Sequence, residues 1–117
     1  MSETVACSRL AVYEYAVEAA GLAIRLAAKA PPPLKPIADQ LVRSAASVPA
    51  NLAEGHGRTG RDRSHLWRIA YGSAKEVDSP LRLLLAAGAV NRAKAEVALK
   101  VFVQVRAMTR RLLHPKR

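Results

Sequence analysis

Four runs of apolar residues, spaced alternately three and four apart and each cut off by proline or glycine, constrain this chain more than any other feature. The rhythm fits the 3.6-residue turn of an amphipathic helix and has no strand-like alternation. Leu10, Tyr13, Val17, Ala20, Ile24 and Ala27 form the first run, which predicts a helix over residues 4–29. The connector APPPLKP, Ala30 to Pro36, ends it, because proline lacks an amide hydrogen and biases the preceding residue away from helix. Ile37, Leu41, Ala45, Val48 and Leu52 carry the second run, over 37–55, with a bend expected at Pro49 and a stop at Gly55 and Gly57. A third helix over 62–87 would turn Leu66, Ile69, Ser73, Val77, Leu81 and Leu84 inward and stop at Gly88. Pro80 predicts a kink within it, with a split into two helices, capped by Asp78 or Ser79, as the alternative. The fourth, over 91–113, starts at a candidate cap, Asn91, and carries Val97, Val101, Val105, Met108 and Leu112.

Four long helices with short connectors in 117 residues predict one all-α domain over 1–117, an antiparallel up-and-down four-helix bundle. The chain is 50% hydrophobic but only 4% aromatic, so its apolar volume comes from Ala, Leu and Val, as in helix seams. Tyr15, Leu22, Leu26, Leu99, Phe102 and Val103 fall outside the expected seams and predict a subunit interface, hence a homo-oligomer. The single cysteine, Cys7, cannot form an intramolecular disulfide. The N-terminus MSETVACSRL has neither the cationic start nor the apolar run of a signal peptide, and no apolar run is long enough to span a bilayer. A cytoplasmic protein without membrane association is expected.

Charge narrows the partner. The formal net charge is +10, and residues 1–39 contribute none of it: Arg9, Arg25, Lys29 and Lys35 balance Glu3, Glu14, Glu18 and Asp39. Arg58, Arg61, Arg63 and Arg68 cluster around the turn between the second and third helices; Arg106, Arg110, Arg111, Lys116 and Arg117 crowd the end of the fourth. An up-and-down layout brings both groups to one pole, which suits a polyanion. Basic residues also favour a helix C-terminus through the macrodipole, which accounts for the fourth-helix group but poorly for the other. With Trp67 and His65 available to stack on bases, the pattern predicts salt-sensitive, non-specific binding of RNA or DNA.

Other constellations give less. Asn51 and Glu54, three apart, match Ser73 and Glu76 on the next helix, where Gly72 would let the backbones approach. With Arg43 they predict a buried interhelical polar cluster, since a buried carboxylate requires hydrogen-bond or ionic partners. A di-metal bundle site needs Glu-x-x-His pairs, and no Glu here has a His three positions on. His56, His65 and His114 have no nucleophile motif beside them, and Gly55, Gly57 and Gly60 follow no strand and lead into no Gly-Lys-Ser/Thr. Neither an enzyme nor a cofactor or metal site is predicted.

Gln40 to Arg58, QLVRSAASVPANLAEGHGR, together with Leu66 to Glu76, LWRIAYGSAKE, resembles the four-helix bundle family encoded in intervening sequences of bacterial 23S ribosomal RNA genes. The pattern Ser-x-Pro-x-Asn-x-Ala-Glu-Gly-x-Gly-Arg stands here as Ser47, Pro49, Asn51, Ala53, Glu54, Gly55, Gly57 and Arg58, and Ile-Ala-x-Gly-Ser-x-x-Glu as Ile69, Ala70, Gly72, Ser73 and Glu76. The resemblance implies a bundle that assembles as a homopentameric ring without catalysis. It extends to a related branch, the accessory variability determinant of diversity-generating retroelements, which implies nucleic acid and a reverse transcriptase as partners. A structural adaptor with no nucleic-acid role is the alternative. Pro80 and the pair Trp67 and Arg68 depart from the family pattern.

Overall fold

Proline and glycine punctuate the helices close to where the sequence places them, and the boundaries follow from backbone hydrogen bonding. The computed structural model describes residues 2–115, with side chains described over 9–115. Lys116 and Arg117, expected among the nucleic-acid-binding residues, lie outside the described residues. Helix α1 spans Ser2–Ala28; a 3-10 turn at Pro32–Leu34 leads into α2, Lys35–His56. Pro49 lies within α2, which runs through it. Helix α3 spans Gly60–Glu76, α4 Asp78–Ala86 and α5 Arg92–Leu113. Among the described residues the secondary structure is entirely helical.

The third rod is divided at Val77, not at Pro80. Proline offers no amide hydrogen, so the carbonyl four residues earlier, that of Glu76, loses its helical partner and the interruption falls there. Val77 keeps helical angles (φ −59°, ψ −33°), so α4 continues from α3. The expected caps do not form: Asp78 pairs instead with Arg82, 2.6 Å away. Gly88, at φ +72°, closes α4. The amides of Gly88 and Ala89 donate to Leu85 and Leu84 at 3.0 and 2.9 Å, the paired bonds of a Schellman end. Asn91 caps α5 as predicted, accepting from the Lys94 amide at 2.9 Å.

Four rods pack around one apolar core, with chain neighbours as spatial neighbours: α1 against α2 and α5, and α3 against α2 and α5. Leu41, Ala45, Val48 and Leu52 of α2 are buried as predicted, as are Val77, Leu81 and Leu84; Ile69 is exposed. Helix α1 is turned from its predicted phase. Its core face is Val12, Ala16, Ala19, Ala20, Ala23, Leu26 and Ala27, while Leu10 (58%), Tyr13, Val17 and Ile24 remain at the surface. The reason is that α1 is apolar on most sides, so several phases satisfy the helical period. The alanine face wins because small side chains let neighbouring helices approach. Similarly, α5 buries Ala95, Ala98, Phe102, Val105 and Thr109 and leaves Val97 and Val103 outside. Leu26 and Phe102, expected at a subunit interface, therefore belong to the core. No described helix is long and apolar enough to cross a membrane.

Candidate nucleic-acid interface

The arginine clusters are separated by some forty residues of chain, and the packing of their helices determines whether they meet. His56 at the end of α2, Trp67 near the start of α3 and Leu112 near the end of α5 line one cleft of about 470 Å³ with Arg9, Leu10, Tyr13, Leu52 and Ala53. The α2–α3 turn and the last turns of α5 thus share one end of the molecule.

At this pole the cations divide into two kinds. Arg61, Arg68, Arg110 and Arg111 are exposed, with no ion pair among the described residues. Arg106 is half-buried. Arg58 pairs with Glu54, one turn back, at 3.0 Å. Arg63 is committed to the fold: its Nε donates to the Gly55 carbonyl at 3.2 Å and its Nη2 to the His56 carbonyl at 3.4 Å. Those carbonyls end α2, where that of Gly55 also accepts from the Arg58 amide at 3.0 Å, so the guanidinium adds bonds at the helix end and meets the negative end of its dipole.

Trp67 is not a base-stacking surface. The residue is 5% exposed, its Nε1 donates to the Leu52 carbonyl at 3.4 Å, and Arg9 and Arg63 each bring a guanidinium carbon 5.5 Å from the ring centroid. Its ring edge also explains Gly55, which is buried within α2 and does not stop it: a Cβ there would come within 2.7 Å of Trp67 Cδ1 and Nε1. The close approach expected at Gly72 is at Gly55 instead, since a Cβ at Gly72 would meet nothing within 4 Å. His65 is exposed.

The predicted polar cluster is only partly assembled. Ser73 Oγ donates to Ser47 Oγ at 2.8 Å across the α2–α3 seam, and Asn51 Nδ2 donates to Ser47 Oγ at 3.0 Å and to the Ser47 carbonyl at 2.8 Å. The centre is thus Ser47. Arg43 and Glu76 are exposed on the walls of the adjoining cleft, with no side-chain hydrogen bond between them among the described residues. Glu54 is at the surface, its side chain 54% exposed and its carboxylate paired with Arg58. Long charged side chains at a helix flank keep their heads hydrated, whereas short hydroxyls and an amide fit the narrow seam. Among the described residues no buried side-chain nitrogen or oxygen is without a partner, and no three His, Cys, Asp or Glu side chains converge.

Residues 8–111 match the family model described as 23S rRNA-intervening sequence protein. The chain belongs to the 23S rRNA-intervening sequence protein family. Among solved structures it is similar to the crystal structure of a protein of unknown function from the S23 ribosomal protein family of Bacteroides thetaiotaomicron. The two are 21% identical over 91% of this chain and 97% of that one, with a TM-score of 0.82, a likeness of fold. No curated protein matches. In this member of the 23S rRNA-intervening sequence family, Ser47, Asn51, Gly55 and Ser73 all fall on the α2–α3 seam, so four residues of the family motifs join two helices. Sequence reasoning misses Arg9 and Tyr13 at the pole. Arg9 sits in the charge-neutral third of the chain and Tyr13 falls on the predicted core stripe; their four-residue spacing on α1 is the available signal.

Proposed function

We propose that the protein is a non-enzymatic cytoplasmic subunit of a homo-oligomer, an antiparallel up-and-down bundle whose basic pole binds RNA or DNA through its phosphates. One juxtaposition carries this reading. Exposed guanidinium groups from two distant segments, Arg61 and Arg68 on α3 and Arg110 and Arg111 on α5, occur at the same end. Charges of one sign gathered at one end repel each other, and a polyanion relieves that repulsion while releasing its own counterions. Self-association is supported by apolar side chains outside the core on different helices, Val17 and Ile24 on α1 and Val97 and Val103 on α5. Two dissimilar patches suit a head-to-tail contact, which closes into a ring when the rotation permits, and a pentamer is the expected ring.

The test is affinity for nucleic acid across a salt series. Log affinity is expected to fall linearly with log salt. Arg110→Glu with Arg111→Glu should weaken binding to every sequence and flatten the slope by about 1 for each phosphate that is no longer neutralised. Failure to bind at low salt would overturn the reading and leave the adaptor alternative. Native mass measurement gives the subunit count.

A further inference from the structure

The cleft at the basic pole has a composition that phosphate binding alone does not need. Leu10, Leu52, Leu112 and Trp67 supply its apolar lining. Planar polar groups, Arg9, Tyr13 and His56, stand around it. Arg9 and Tyr13 are one turn apart on α1, so their side chains are neighbours on one face. The Arg9 guanidinium lies over the Trp67 ring, which restrains a flat cation beside the opening. Tyr13 keeps 39% of its surface exposed although it is a large aromatic with no place in the core. Arg61 and Arg68 of α3 and Arg110 and Arg111 of α5 are exposed on the helix turns at this end of the molecule.

An apolar lining, planar polar groups and cations at the same end together describe a receptor for a flat heterocycle joined to an anionic chain. We propose that the cleft receives an unstacked nucleobase, so that the protein prefers single-stranded to double-stranded nucleic acid; this rests on the nucleic-acid function proposed for the pole and specifies its substrate. In a duplex the bases are paired and stacked, and extracting one costs a few kcal/mol. A single strand offers splayed bases to aromatic rings and guanidinium planes, and every base has a face to stack, so the preference is for strandedness and not for sequence. The volume, about 470 Å³, is in the range of small-ligand pockets and accommodates one base with its sugar at the mouth.

The experiment titrates the full-length protein with oligothymidylate and with a random-sequence duplex of equal length at the same salt. The intrinsic reporter is Trp67, the chain's one tryptophan, on the cleft wall. The single strand should bind about tenfold more tightly and quench Trp67, and the duplex should leave the fluorescence unchanged. Tyr13→Ala, at a surface position, should lower single-strand affinity about tenfold at constant duplex affinity, and Tyr13→Phe should retain the preference. Arg61→Glu should weaken both ligands alike. Equal affinities for the two ligands, or a preference that survives Tyr13→Ala, would overturn the base-binding cleft and leave the electrostatic reading standing. Absence of binding by either ligand would remove both.

Discussion

Along the seam between α2 and α3 there are two stations, about 12 Å apart, that join the same helices by different physics. At Ser47, three short polar groups exchange directional hydrogen bonds between 2.8 and 3.0 Å. At Gly55, a missing side chain makes room for an indole, and the Trp67 ring is held by close packing, one long hydrogen bond and two guanidinium groups. The first station fixes register, because sliding either helix by one residue breaks the Ser73 bond. The second supplies stability, because a large aromatic leaves water there and the small polar groups hardly do. The two stations lie on one continuous seam. From Gly55 to Leu52 to Ser47 on α2, the partner on α3 advances from Arg63 to Trp67 to Ser73.

Truncating the indole should break this comparison most severely. Trp67→Ala is expected to cost about 3–5 kcal/mol, read as a lower urea midpoint at unchanged slope. Gly55→Ala should be next, at up to about 2 kcal/mol. Overpacking against a ring edge costs about 1–3 kcal/mol, offset in part by the ~1 kcal/mol that alanine gains over glycine in a helix. Adding Trp67→Phe should recover part of that loss, and failure to do so would mean that the Cβ clash is not the cause. Asn51→Ala and Ser73→Ala should each cost about 1 kcal/mol, and in combination less than the two summed, since both act on Ser47 Oγ. Glu76→Gln should be smallest, within about 0.5 kcal/mol, because its carboxylate is at the surface. A large effect there would restore the buried carboxylate that the geometry denies.

The candidate site is legible in the sequence only in part. Charge counting picks out the arginines but does not separate exposed ones, such as Arg61, from Arg63, which bonds the end of α2. That distinction depends on which carbonyls lie within reach across a turn, and composition does not carry it. The sequence marks Trp67 as the aromatic of the pole, yet its use is inward, while Tyr13, on the predicted core stripe, stands at the cleft. The two exchange places for one reason: the phase of α1 and the depth of α3 are set by neighbours.

The sequence by itself determined most helix ends to within a few residues, though not the break at Val77, because proline and glycine act on their own backbone hydrogen bonds and Asn91 caps its own first turn. It also fixed the buried stripe of α2, where apolar residues occupy little more than one face. The tertiary structure alone decided which face of α1 is core, where Gly55 must yield to an indole, and which arginines reach a common end. Each of these is a contact between residues far apart in the chain. A helix that is apolar on most sides has several nearly equivalent ways to bury itself, and only the shapes of the helices packed against it select one.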